Sequence, residues 1–349
     1  MTCRKLILMM VILCFTIQAR SEEKLIFAID LIRHGDRTPI HPIPTISYQW
    51  KEGLGQLTPE GMREEYELGK QLRQKYVDQY HLLPPNYETE TMYVRSTDYD
   101  RTLMSAESLL MGLYPLGAGP FLSGTKQFAL PSAYQPIPIH TVAKNRDTIF
   151  VPSIDQEKQE ALLEKYVFSN PEWKKKNAQL QSKYPAWSEA TGIKIKTLRQ
   201  LSSLGGTLSI HQSHHVPLPI KLSSTDVNDI ITMGKWVIAA KYRPKEIGRE
   251  NGRPLLIVVT DYLQQAIRGV GQLKYVLLSG HDTTILSIMS AMRTPLSLPP
   301  PYAADLNFSL YQRSPKEYVV RVSLNGQPII LPGCKTLNCP WEQFKKMIR

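Results

Sequence analysis

Residues 25–39 read LIFAIDLIRHGDRTP. The apolar run Leu25–Ile32 holds one acid and stops at Arg33-His34-Gly35-Asp36-Arg37. A short apolar run, rich in isoleucine and closed by glycine and polar residues, predicts a buried strand about to turn. Three cation-capable side chains at the end of that strand repel one another, so an anion belongs among them. Whether His34 only holds that anion or attacks it is the question the rest of the chain must answer.

Similar runs occur at Thr91–Val94 and Lys274–Leu278, and a strand pair is expected at Leu306–Tyr311 and Tyr318–Val322 with Ser314-Pro315 in the turn. A helical pattern follows each of the first three runs. Thr58 is a candidate N-cap with Pro59 in the first helical position, and Met62, Tyr66, Gly69, Leu72 and Tyr76 recur at helical spacing. Asp98–Leu113 and Thr283–Met292 each present one apolar face. Strands alternating with helices predict an α/β fold: a mixed central sheet covered by helices on both faces. Between residues 121 and 252 the texture changes to proline-rich loops and polar helical stretches (Asp155–Phe168, Pro171–Lys183, Ser224–Tyr242). This middle third is expected to be a mainly helical cap inserted between two parts of the α/β domain, residues 22–120 and 253–349. Arg253–Val270 is ambiguous, because PLLIVV suggests a strand and TDYLQQAIRG a helix.

The first 21 residues read differently. Arg4 and Lys5 precede an apolar stretch from Leu6 to Ile17 and then Gln18-Ala19-Arg20-Ser21, the pattern of a secretory signal peptide cleaved after Ala19 or Ser21. The stretch is too short to span a bilayer, which takes about 20 apolar residues, so no stable membrane insertion is expected. A lipid anchor on Cys14 is a weaker alternative, since Leu13 is bulky. Losing Arg4, Lys5 and Arg20 lowers the net charge from +11 to +8. That surplus is scattered apart from Lys174-Lys175-Lys176, which reads as a solvated helix face; a nucleic-acid partner is not expected. Of the four cysteines, Cys334 and Cys339 lie outside the signal, an even pair whose short spacing favours a disulfide in an exported chain.

Three polar clusters stand at the ends of three apolar strands: Arg33–Arg37, Arg95-Ser96-Thr97-Asp98 and His281-Asp282-Thr283-Thr284. Taken singly, each has a bland reading: a surface ion pair at Arg33-His34, an N-cap at His281-Asp282, an Arg95 paired with Asp98 or Glu90. In open α/β sheets, however, ligands bind beyond the carboxyl ends of the strands, where all three clusters would converge. Phosphoryl chemistry gives that convergence a purpose. Arginine forks suit phosphate oxygens, and Arg33, Arg37 and Arg95 supply three. A helix start behind His281 adds partial positive charge. Neighbouring arginines keep His34 neutral and nucleophilic in acid. Gly35 removes a Cβ where the chain turns. Asp282 is then the proton donor to the leaving oxygen and the later activator of water.

RHGDRTP, the distant HDTT, LTPEGMREEYELGKQLR, VRSTDYDRTLMSA and SGHDTTILSIMSAM together resemble the histidine acid phosphatase branch of the histidine phosphatase superfamily, over essentially the whole mature chain. The phosphoglycerate mutase branch shares the Arg-His-Gly core but lacks the DRTP continuation. The resemblance implies a covalent phosphohistidine on His34, Asp282 as general acid, and Arg33, Arg37, Arg95 and His281 on the phosphoryl oxygens. It also implies no metal or other cofactor, a helical cap, an acid optimum, and a Cys334–Cys339 bridge. Where secreted mammalian members often read YASCHLTEL, this chain reads YAADLNFSL, so Asp305 and Ser309 replace a cysteine and a glutamate.

The expected substrates are small phosphomonoesters, phosphopeptides among them. HDTT resembles the acid phosphatases, whereas the phytases of the family tend to read HDTN. A phytase or sugar phosphatase of narrower range and a non-catalytic phosphate binder are the rivals, and Asp282 argues against the binder because an ionised carboxylate repels phosphate. His211, His214 and His215 invite a metal reading, but they lack acidic or cysteine companions and precede Pro217 and Pro219, which favours a loop. His41 either lines the pocket or only shapes a turn. The oligomeric state is not readable from the sequence.

Overall fold

A computed structural model describes residues 23–150 and 155–348; the expected signal segment, 1–21, lies outside the described residues. The strands are β1 (Lys24–Arg33), β2 (Met92–Ser96), β3 (Tyr275–Gly280), β4 (Asp305–Ser314), β5 (Glu317–Leu324), β6 (Gln327–Ile329) and β7 (Cys339–Pro340). They form one mixed sheet in the order β2-β3-β1-β4-β5-β6, with β7 beside β5. β2, β3 and β1 run parallel, while β4, β5 and β6 run antiparallel. The mixed sheet expected from the sequence is thus present. β1 sits inside the sheet and, Asp30 apart, its Leu25–Ile32 run is apolar on both faces because helices cover both.

The longer helices are α1 (Pro59–Arg73), α2 (Asp100–Leu113), α3 (Gln156–Leu163), α4 (Pro171–Leu180), α5 (Tyr184–Thr191), α6 (Leu201–Ser213), α7 (Ser224–Tyr242), α8 (Lys245–Asn251), α9 (Arg253–Arg268) and α10 (Asp282–Ala291). Phe27, Ile29 and Leu31 of β1 pack with Leu256 and Val259 of α9 and Ile285 and Met289 of α10. Ala28 and Ile32 face the other way, onto Leu72 and Tyr76 and onto Leu109 of α2. The ambiguous Arg253–Val270 stretch resolves as helix: Leu255, Leu256, Val259 and Leu263 recur at helical spacing and are all buried. A third core holds α3 to α8 together around Trp173, Trp187, Leu201, Leu204, Leu208 and Ile230. α6 and α7 cross so tightly that a Cβ on Gly205 would lie 2.6 Å from the Ile230 carbonyl, and one on Gly234 2.6 Å from the Leu201 carbonyl. No described helix is long and apolar enough to cross a membrane.

Beneath the sheet lies a buried polar group. Asn307 donates to Asp30 Oδ1 (2.7 Å) and to the Tyr76 hydroxyl (2.8 Å), and Ser309 donates to Asn307 (2.7 Å). Asp305 sits diagonally from Asp30, since β1 pairs Asp30 with Asn307 and Ile32 with Asp305. Asp30, Asp305 and Glu65 are all buried. Cys334 and Cys339 are disulfide-bonded and close a short loop against β5.

Candidate active site

Register brings the three polar clusters together. Arg33 pairs with Gly280 across β1 and β3, and Ser96 pairs with Ser279 across β2 and β3. The ladder continues one residue beyond, with His34 N–H on Gly280 O and Thr97 N–H on Ser279 O, both at 3.0 Å. His34, Thr97 and His281 therefore leave the sheet at one level. Gly35 then lets the loop settle on the start of α1, where a Cβ would stand 2.3 Å from the Gly61 carbonyl; Gly61 is bare for the same reason, its own Cβ 2.2 Å from the Asp36 carbonyl. Two glycines thus allow a helix N-terminus to press on the 34–37 turn.

His34 is buried, 3% exposed. Its Nδ1 lies 2.8 Å from the Gly35 carbonyl, which can only accept, so Nδ1 carries the proton and Nε2 keeps its lone pair. Burial, then Arg33, His281 and Arg101, lower its pKa well below the usual histidine range. The ring therefore stays neutral in acid. The His281 ring stands edge-on to it at 5.5 Å, and Tyr302 lies 5.8 Å away.

Arg33 is held on three sides. One guanidinium nitrogen donates to the Pro300 carbonyl at 2.6 Å, another is 3.2 Å from Asp282 Oδ2, and the group lies 4.1 Å over the Tyr302 ring. Arg37 donates to the Thr38 carbonyl at 2.9 Å and lines the same cavity. Asp282 opens α10 and accepts from the Thr283 N–H at 2.7 Å. Burial pushes its carboxyl upward, but Arg33, His281 and Arg37 outweigh burial and hold it below the ordinary aspartate value.

His281 caps α10, with its N–H on Thr284 Oγ1 (3.2 Å). An Arg101 nitrogen, which can only donate, lies 3.4 Å from His281 Nδ1, so His281 Nε2 carries the proton toward Thr97 Oγ1 at 3.1 Å. Burial, then Arg101, push the His281 imidazole down to about 3. At pH well above that value it joins the cluster as a neutral ring.

Arg95 is the exception. The residue expected to hold phosphate pairs instead with Asp147 at 2.8 Å and lies 5.0 Å over the Phe150 ring. Asp147 also accepts from the Ile149 and Phe150 N–H groups, so Arg95 anchors the 147–150 segment. Strand alternation explains the difference: Arg95 follows Tyr93 onto the α9 face of the sheet, whereas His34 follows Ile32 onto the opposite face, against α2. The cation that stands there is Arg101, in the first turn of α2. It reaches Gly55 O (3.4 Å) and His281, and burial followed by Arg37 lowers its pKa to about 10. Its signal lay in the same VRSTDYDRTLMSA stretch, as an arginine in the first turn of the helix that follows the strand. Tyr302, delivered by the Pro299-Pro300-Pro301 turn, carried no sequence signal.

Beyond the arginines a cavity of about 510 Å³ opens between the α/β core and α6 and α7. Ile210, Ile238 and Leu298 give it apolar walls, Ser202, Ser209 and Gly206 a small-residue face, and Lys235 is its one cation besides Arg33 and Arg37 among the described residues. His41 lines the cavity, and its carbonyl accepts from Thr207 of α6 at 3.2 Å. The loop expected at residues 211–219 begins later than the sequence suggested, since His211 and Ser213 end α6. His211 Nδ1 lies on the Pro217 carbonyl (3.0 Å), and His214 lies on Asp36 (2.6 Å), so the three histidines do not converge on one point.

Residues 41–214 and 225–325 match the family model of the histidine phosphatase superfamily (branch 2). The chain is 31% identical over 342 residues to a lysosomal acid phosphatase of Pongo abelii, covering 95% of this chain and 78% of that one. It is 28% identical over 339 residues to the human prostatic acid phosphatase, covering 93% and 85%. Among solved structures it resembles the Klebsiella sp. ASR1 phytase, with a TM-score of 0.70, 17% identity, and coverage of 94% and 95%. A Bifidobacterium longum multiple inositol polyphosphate phosphatase, solved with phosphate, aligns with a TM-score of 0.63 at 13% identity, covering 95% and 93%. These two structural likenesses concern the fold.

Proposed function

The chain belongs to branch 2 of the histidine phosphatase superfamily and is a phosphatase, and from that premise we propose that it hydrolyses phosphate monoesters through a phosphohistidine on His34. One observation carries the reading. His34 Nδ1 is fixed on the Gly35 carbonyl, which leaves Nε2 as a neutral lone pair beside Arg33 and Arg101, with Asp282 across from it on Arg33.

In the first step Nε2 forms a bond to phosphorus while the bond from phosphorus to the ester oxygen breaks. The electron pair leaves with that oxygen, which takes the proton of Asp282. Asp282 is ionised in the free site because Arg33 faces it. A phosphoryl group that engages Arg33 and brings its own negative charge raises the carboxyl's proton affinity, so Asp282 is loaded in acid. In the second step water loses a proton to the Asp282 carboxylate and attacks phosphorus. The N–P bond breaks, its electron pair returns to His34, and inorganic phosphate departs. Arg33, Arg37 and Arg101 hold the three equatorial oxygens, with His281 positioning Arg101. The low proton affinity of His34 extends the working range into acid, where most histidines are protonated.

The leaving-group cavity supports a broad range of singly phosphorylated esters. One lysine beyond the phosphate grip is too few to neutralise a densely phosphorylated inositol, while the isoleucines, prolines and Tyr302 suit alkyl and aryl groups. Residues 121–252 act as the cap that shapes this space. Export after removal of the N-terminal segment accords with the disulfide, and with the lysosomal acid phosphatases among its relatives. The test is rapid acid quench with a radiolabelled aryl phosphate. Acid-labile, base-stable label on the peptide containing His34, absent in His34→Ala, is the expected result. Full turnover by His34→Ala would overturn the mechanism.

A further inference from the structure

Asp36, between the nucleophile and Arg37, plays no part in the chemistry above, yet it is buried and carries an uncommon set of contacts. Its Oδ2 accepts from Thr58 Oγ1, the N-cap of α1, at 2.6 Å, and lies 2.6 Å from Nε2 of His214. Its N–H donates to Glu64 Oε2 at 2.8 Å. His214 is the C-cap of α6, so 178 positions of sequence separate the two partners. α6 is the helix whose Ser202, Gly206, Ser209 and Ser213 form the cavity wall. Trp50 stands edge-on to His214 at 5.2 Å and packs on His211 at 6.0 Å, which restricts the rotamer of the His214 ring. Asp36, Glu60 and His214 could in principle gather around a metal ion. Asp36 Oδ2 already lies within hydrogen-bond length of two protein groups, though, so the arrangement is a tie between segments.

We propose that His214 is a positioning residue that sets the gap between the phosphate-gripping loop and the cap wall, and thereby the size of leaving group the enzyme accepts. The inference rests on the phosphatase reading of this site. It follows from where the tie is attached. One end is in the loop that carries His34 and Arg37, and the other is on the helix that faces the leaving group. Breaking it leaves Asp36 held by Thr58, so the phosphate grip keeps its shape. Among the described residues, α6 then keeps the Thr207–His41 hydrogen bond as its one hydrogen bond to the 34–41 segment, and its wall moves relative to the loop.

The experiment compares wild type, His214→Ala and His214→Gln on a small alkyl phosphate and a naphthyl phosphate, with inorganic phosphate as inhibitor. Wild-type turnover of both esters comes first, since its absence would reject the phosphatase reading itself. For His214→Ala, loss of one charge-assisted hydrogen bond predicts a KM for the naphthyl ester about ten-fold higher. The naphthyl kcat, the alkyl KM and the phosphate Ki should stay within about two-fold, because none of them senses the wall strongly. His214→Gln places an amide donor near the position of Nε2 and should bring the naphthyl KM back to within about three-fold. Unchanged kinetics in His214→Ala, a phosphate Ki that rises in step with KM, or no rescue by glutamine would each overturn the inference. If the alanine variant does not fold, His214→Asn, whose amide falls short of Asp36 but still fills the site, carries the same expectation.

Discussion

Replacing Arg101 and Arg95 separately tests the site at the point where sequence and structure part. Both lie in VRSTDYDRTLMSA, six positions apart, and only Arg101 stands against His281 and close enough to act on His34. Arg101 remains charged at any working pH even with its pKa lowered to about 10. A preorganised donor to the charge developing in a transition state is worth about 10² to 10³ in rate. Arg101→Ala should therefore cut kcat/KM on an aryl phosphate by about a hundredfold or more. Arg101 also depresses the His34 pKa, so its loss should move the acid limb of the pH–rate profile upward. Arg95→Ala should act on stability. Asp147 is 1% exposed and would lose its only ion-pair partner among the described residues, at a cost of about 3 kcal/mol. Its two backbone N–H bonds remain, so the variant should still fold, with a lower Tm and kcat/KM within a few-fold of wild type. Steady-state kinetics across pH 3–8 beside thermal unfolding, an assay range of about five units, distinguish the two. An Arg95→Ala enzyme as inactive as Arg101→Ala, at unchanged Tm, would refute the assignment.

Two further substitutions probe the carboxyl groups. Asp282→Asn should abolish turnover by about a thousandfold or more while inorganic phosphate binds as well or better, because the amide no longer repels the anion. Weaker phosphate binding with partial activity would point to a purely structural role for Asp282. Asp305 and Glu65 address stability. Burial, reinforced by Asp30 for Asp305 and by Glu64 for Glu65, pushes both carboxyls well above their ordinary values. The folded chain then keeps protons that the unfolded chain releases. Stability should accordingly be greatest in acid and fall as pH rises above the ordinary carboxyl range, until the folded groups ionise. Tm should be higher at about pH 5 than at about pH 8, and Asp305→Asn should shrink the difference. A Tm that climbs toward neutral pH would contradict this account of the buried acids.

What the sequence determined is what one-dimensional patterns can carry. Apolar runs of strand length, a threonine cap followed by proline, and helical spacing at Asp98–Leu113 and Thr283–Met292 are local properties, and they placed β1, β2, β3, α1, α2 and α10 to within a few residues. The convergence of His34, Asp282 and His281 was also readable, because parallel strands followed by helices expose their carboxyl ends on one edge. Only the tertiary structure could decide which arginine of VRSTDYDRTLMSA turns inward. That choice depends on which face of β2 meets α9 and which meets α2, and both arginines satisfy the same local pattern. The same holds for 253–268, whose apolar stretch suits strand or helix until the face of β1 that it covers is known. It holds again for Asp36 and His214, which meet only because α6 folds back across the site. Local spacing sets which elements form and which residue types stand at their ends; the direction in which a side chain points, and what it meets there, is set by packing between segments far apart in the chain.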